Sequence, residues 1–192
     1  MPTTATLEQL SRALDQAGAL IDGIRPEQSH LPTPCTEFDL RALVNHLVYD
    51  LNAFARMLNG APRGSPDVDL IGNDWSGAYR SAADNLLATW NEHGTEGTLK
   101  LQIGEVPASW PIGQHLADVA VHAWDIARAT GQPTTHLDPE LASVALEWVQ
   151  ENLKPQFRGQ AFGPEVPVPE TAPIYDRLAG FSGRDPGWAG GL

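Results

Sequence analysis

Apolar residues recur along this chain at intervals of three and four over five long stretches, the spacing of amphipathic helices. The first stripe, Leu7, Leu10, Leu14, Ala17, Ile21 and Ile24, predicts a helix that begins near Thr6 and ends before Pro26. Residues 25 to 35 carry three prolines and no period, so they read as a connector. Thr36, with Asp39 three positions later, then resembles a capping box and starts a second helix. Its stripe is the longest and most regular in the chain, passing through Leu40, Leu43, Leu47, Leu51, Phe54 and Leu58 before Asn59 and Gly60 stop it.

A Gly/Pro/Asp-rich loop over residues 60 to 73 leads to a third helix through Ala78, Ala82, Leu86, Leu87 and Trp90, capped by Asp74 or Ser76 and ended by Gly94. Residues 98 to 106 alternate loosely, with Leu99, Leu101 and Ile103 on one side, and read as an extended piece without an obvious partner. Helical spacing returns over residues 112 to 130, at Leu116, Val119, Ala120, Ala123, Ile126 and Ala127, with Gly131 and Pro133 as the stop. A fifth helix opens at Asp138 followed by Pro139, an N-cap and a first-turn proline, and runs through Leu141, Val144, Trp148 and Val149 to Pro155.

The fold class expected is therefore mainly all-α: a helical bundle over residues 1–153, with a Pro/Gly-rich tail over residues 154–192. The tail keeps Phe157, Phe162, Ile174, Tyr175, Leu178 and Phe181, too much apolar surface for a disordered segment, so it is expected to dock on the bundle, with a short helix near residues 173 to 180. A chain of 192 residues can bury one real core, and a single domain overall is the expectation.

Charge narrows the partners. Twenty-four acidic residues against 12 Lys and Arg give a net charge of −12, a field that repels phosphate backbones and anionic lipid, so neither nucleic acid nor a membrane surface is an expected partner. The single Cys35 can form no internal disulfide and no thiolate zinc cluster, which fits a reducing compartment. The opening residues MPTTATLEQL lack a basic and then apolar leader pattern, and a cytoplasmic location is expected.

Candidate chemistry lies beside the apolar stripes. Asp118 and His122 are one helical turn apart and project from the same face, as two ligands of one ion would. His115 and Asp125 extend this polar column along the fourth helix, while Asp39, His46 and Asp50 form a parallel seam on the second. An imidazole from one helix with a carboxylate and an imidazole from another would leave a coordination position open, the arrangement of a catalytic metal. That set suits Zn²⁺ first, with Ni²⁺, Co²⁺ and Mn²⁺ also accommodated. Two other readings stand beside it: an Asp/His pair on a solvated face is commonly a salt bridge, and the seam can be an internal hydrogen-bond network. Trp124 reads as a core anchor, Cys35 as a small buried hydrophobe, and Arg128 as a cation complementing a helix C-terminus.

Three segments carry a family resemblance: TPCTEFDLRALVNHLV at residues 33 to 48, HLADVAVHAWDIARATGQ at residues 115 to 132, and AFGPEVPVPETAPIYDRLAGFSGRDPGW at residues 161 to 188. In this order they resemble the DinB-like metal-binding bundles, in the actinobacterial branch related to the N-terminal metal-binding domain of mycothiol-dependent maleylpyruvate isomerase. The resemblance implies a four-helix bundle in which His46 matches the first metal ligand, His122 the last, and Asp118 the ligand one turn before it. The isomerase has a glutamate where this chain has Asp118, and a substantial further C-terminal domain where this chain has a tail.

The resemblance also implies a small-molecule thiol, mycothiol, as partner. The function expected is a metal-dependent enzyme, of transferase or isomerase type, that activates such a thiol or water for transfer, isomerisation or hydrolysis. Asp125, His115 and Asp50 are candidates for orienting the ligands or accepting a proton. The alternative is a non-catalytic protein that binds a metal or small ligand on the same bundle. Bundles of this kind associate through helix faces, so a homodimer is open, but no surface stripe selects it.

Overall fold

A computed structural model describes residues 5–101, 104–159 and 162–190. Ile103, residues 160 and 161, and the side chain of Phe157 lie outside this description. Six α-helices and one small hairpin make up the regular structure of the described residues: α1 (Leu7–Asp22), α2 (Leu40–Leu58), α3 (Trp75–His93), β1 (Thr98–Leu101), β2 (Gly104–Pro107), α4 (Ser109–Thr130), α5 (Pro139–Asn152) and α6 (Ile174–Phe181). The all-α expectation holds.

Local chemistry sets the helix starts. Thr6 and Gln9 cap α1 reciprocally, each side chain bonding the other's backbone N–H. Asp74 caps α3 by accepting from the Gly77 N–H at 2.9 Å, and Asp138 caps α5 ahead of Pro139. The second helix differs from expectation, because it starts at Leu40 and Asp39 is itself the cap, its Oδ1 accepting from the Ala42 N–H at 2.8 Å. Residues 33 to 38 are held in a turn instead: the Thr33 hydroxyl donates toward the Cys35 and Phe38 carbonyls at 2.9 and 2.8 Å. The Thr36 and Asp39 pair therefore cannot act as a box.

The extended piece after α3 does have a partner. It folds back on itself, β1 pairing antiparallel with β2 in the register Thr98 to Pro107 and Leu101 to Gly104. Gly104 sits at φ +119°, a backbone conformation closed to most side chains, which is why the chain can reverse there.

Helix α4 is the central element, lined by α1 on one side and α5 on the other. It is buried on nearly every side, enclosed by its neighbours, and it ends at Gly131 in the left-handed conformation, φ +75°. Helix α2 packs mainly on α3, and α3 also meets α1. The core is anchored by Trp90, Trp124 and Tyr79, all sealed from solvent, with the leucines of α1 and α2 around them. Each such side chain contributes about 1.5–3 kcal/mol by leaving water.

Helix α6 packs against α5, placing Tyr175, Leu178 and Ala179 in the core, while Phe162, Ile174, Phe181 and Trp188 cover its edge. The Trp124 indole donates to Asp176 at 3.1 Å. Arg128 does more than complement a helix end: it lies 5.5 Å over the Trp124 ring and donates to the carbonyls of Pro186 and Trp188, which ties the last residues down. Helices α2 and α4 meet only sparsely, and the space between them is where the polar seams face each other.

Candidate metal centre

His122 is the most tightly specified residue of the seam. Its side chain is 4% exposed, and Nδ1 lies 2.9 Å from Oδ2 of Asp125, one turn later on α4. Asp125 is sealed from solvent and also accepts from the Arg184 guanidinium, at 3.3 and 3.4 Å. A carboxylate held by an arginine is an acceptor, so the imidazole donates from Nδ1, and in its neutral form the lone pair is left on Nε2. That nitrogen is 3.5 Å from Oδ1 of Asp118, a second acceptor.

His46 arrives from the opposite side of the gap. Phe38 stacks on its ring with centroids 4.9 Å apart, and the ring meets His122 edge-on at 5.2 Å. One ligating atom each from His46, Asp118 and His122 can be chosen so that all lie within 4.8 Å of one another. The structure thus brings the three predicted residues together. Two imidazoles and a carboxylate converging on one point, with His122 directing a lone pair there, fit a divalent ion chemically.

The surrounding groups separate into distinct roles. Burial alone would push the Asp118 carboxyl up, but the neighbouring His122, His46, His115 and Arg184 outweigh it and hold Asp118 below the usual carboxylate range, as an anion. Asp50 goes the other way: burial, then the negative charge of Asp118, raise it, against the opposing pull of His46, His115 and Arg63. Its carboxylate lies 3.5 Å from His46 Nε2 and 3.6 Å from Arg63.

His115 is buried one turn before Asp118, with Nδ1 2.8 Å from the Pro111 carbonyl and its ring against Phe54 at 4.3 Å. Burial holds it below the ordinary histidine range. Asp39 is not part of the centre, because it caps α2 and pairs with the exposed His30 at 3.1 Å.

Cys35 is half-buried, and its sulfur, with atoms of His122 and Asp125, forms a second cluster within 4.8 Å. Burial pushes its thiol up to about 11, which keeps it protonated at neutral pH. The Arg184 contact supplies Asp125 with a cation already, so the first cluster is the better metal candidate.

The three converging residues open on a cavity of about 440 Å³, walled by Phe38, Phe54, Met57, Trp110, Trp148 and Phe162. Its polar groups include Cys35, Glu37, Asp50, Arg63, Gln114 and His115. Arg184 and Phe38 are the functional neighbours that spacing did not single out. Both lie within the resembling segments, Phe38 in the first and Arg184 in the third, and that was their one signal in the sequence.

Comparison with known proteins agrees with this architecture. Two uncharacterized proteins of Mycobacterium tuberculosis, from strains CDC 1551 and H37Rv, are each 38% identical over 177 residues, covering 90% of this chain and 94% of theirs. A crystal structure of the mycothiol-dependent maleylpyruvate isomerase, determined as a histidine-to-alanine mutant, has the same fold with a TM-score of 0.63 at 13% identity. The match covers 93% of this chain and 80% of that one. Residues 10–127, which include α2, α3 and the whole candidate centre except its tail contact, match the mycothiol maleylpyruvate isomerase N-terminal domain. By that match this chain belongs to the mycothiol maleylpyruvate isomerase N-terminal domain family.

Proposed function

We propose that this protein is a metal-dependent enzyme in which His46, Asp118 and His122 hold one divalent ion, Zn²⁺ first among the candidates, beside a substrate cavity. The observation that carries the reading is the convergence of these three side chains in the lining of a cavity of about 440 Å³. Three protein ligands leave room for a further one, and all three side chains line the same cavity. When bound, such an ion lowers the pKa of a coordinated thiol or water and supplies a nucleophile at neutral pH. Family membership favours a low-molecular-weight thiol of the mycothiol type as that partner, for transfer or isomerisation, with hydrolysis as the corresponding chemistry of water.

The chain's own residues perform the remaining work in this scheme. Asp125 fixes the tautomer of His122, and Arg184 fixes Asp125, so the ligand nitrogen is aimed before any ion arrives. Phe38 holds the plane of His46. The aromatic walls make the cavity lining mainly apolar, which strengthens electrostatic contacts inside it. The bundle of residues 1–153 and the tail of residues 154–192 are read as one unit, because Arg184 of the tail reaches into the centre.

Elemental analysis of protein purified without a polyhistidine tag tests the centre: one divalent ion per chain is expected, and full metal content in a His46→Ala/His122→Ala double variant would refute the ligand set. Incubating the metal-loaded protein with a panel of thiols and electrophiles tests catalysis. Metal-dependent consumption of a thiol is expected; its absence across the panel would leave a protein that binds metal or a small ligand without turnover.

A further inference from the structure

His115 has a geometry that does not depend on any ion. Its Nδ1 lies 2.8 Å from the carbonyl of Pro111, one turn earlier on α4. A carbonyl can only accept, so the ring donates from Nδ1, and in the neutral imidazole Nε2 is left as a bare acceptor. The ring lines the cavity, and among the described residues no hydrogen-bond donor reaches Nε2.

The aromatic side chains of the wall offer a ligand little to bond. Phe54 meets the ring in an edge-type contact, centroids 4.3 Å apart. The Trp110 indole already donates to Asn152 at 2.8 Å. Among the described residues the Trp148 indole nitrogen is buried without a partner, against the helix at Gly113, where an added Cβ would come within 2.6 Å of it. Glu37, Asp50 and Asp118 outnumber Arg63 among the charged groups of the wall, so that even with a divalent ion bound the lining carries no net positive charge to attract an anion.

We propose that His115 selects the substrate: the cavity takes a compact, mainly apolar and uncharged molecule bearing an O–H or N–H group that donates to Nε2 of His115. The inference rests on the reading of this cavity as a substrate pocket. A molecule of the same shape without the donor leaves Nε2 desolvated and unpaired, and that mismatch is the source of the selectivity.

Phenol and its methyl ether, anisole, differ in the donor and serve as the probe pair. Both are titrated into the full chain, zinc-loaded and zinc-stripped, with heavy nitrogen in its histidine rings, and the ring nitrogens are followed by NMR. The His115 signals are assigned with His115→Phe and His115→Gln. In the free protein Nδ1 of His115 should carry the proton and Nε2 none. Phenol should shift the Nε2 resonance and bind at least about tenfold more tightly than anisole in both metal states.

His115→Phe should abolish that preference, and His115→Gln, which restores an acceptor, should recover part of it. A proton on Nε2, equal affinities for the two probes, or no binding of either at millimolar concentration overturns the proposal. The wild-type comparison decides the matter even if a variant fails to fold. Zinc content measured on the same samples separates the two readings: a chain that takes up no zinc yet prefers phenol refutes the metal centre alone. One that binds zinc and does not discriminate refutes the role of His115 alone.

Discussion

His122 and His46 face each other across the gap between α4 and α2, yet they are held by different means. The His122 side chain is 4% exposed and sits at the end of a chain of directed bonds through Asp125 to Arg184. The His46 side chain is 26% exposed, is positioned by stacking on Phe38, and has Asp50 at 3.5 Å, beyond a good hydrogen bond. Directed bonds fix both ring plane and tautomer, whereas stacking fixes the plane alone. One ligand of the candidate centre is thus preset, and the other is free to settle when an ion arrives.

The contrast predicts unequal consequences of substitution. The largest effect is expected at His122 itself: His122→Ala should reduce metal affinity by more than the roughly 10- to 100-fold that loss of a ligand's hydrogen-bonding partner costs. Competition with a chelator of known affinity measures it, and near-normal affinity would show that His122 is not a ligand. Arg184→Ala comes next. It leaves Asp125 buried with its cation gone, and breaking such a pair costs about 3–5 kcal/mol, to be read from denaturant unfolding. Metal affinity should fall as well, since Asp125 then loses its fixed orientation. A variant of unchanged stability would mean that the buried contact does not anchor the tail.

Gly113→Ala should have a smaller effect of a different kind. An added methyl would overlap the Trp148 indole, and overpacking of this sort costs about 1–3 kcal/mol. Because Trp148 walls the cavity, ligand binding should change while zinc affinity does not. Calorimetry with zinc and with phenol on the same variant separates the two, and a parallel loss of both would show that the wall and the centre are one mechanical unit.

The parts of this molecule that were legible in the sequence are those set within one helix. Apolar periodicity located α1 to α5, and the i, i+4 spacing of Asp118 and His122 placed them on one side of α4. Chemistry between elements was not legible. Thr36 looked like a cap because its spacing to Asp39 is right, but whether a hydroxyl caps depends on the turn before it, and there Thr33 ties residues 33 to 38 into another shape.

The partner of the strand was missed because it lay inside the same segment, beyond a reversal at Gly104. Arg184 stands 59 positions from Asp125 in an irregular tail, where no period marks an inward-facing residue. That His46 approaches His122 at all depends on how α2 and α4 pack, which side-chain spacing within either helix does not determine.

Phe38 supplies the mildest test of the same contrast. Stacked aromatic pairs contribute about 0.5–1.5 kcal/mol beyond their burial, so Phe38→Ala should weaken zinc binding by at most about tenfold and leave the fold intact. Its effect should lie mainly in rate: without the stacked ring His46 samples more orientations, each of which must be given up when an ion binds, so association slows more than dissociation quickens. Phe38→Leu keeps apolar cover over His46 without the flat face, and should fall between the two. Stopped-flow metal uptake with an indicator dye reads both rates. If Phe38→Ala instead lowers affinity as far as Arg184→Ala does, His46 is as firmly preset as His122, and the asymmetry drawn from their surroundings does not reach the ion.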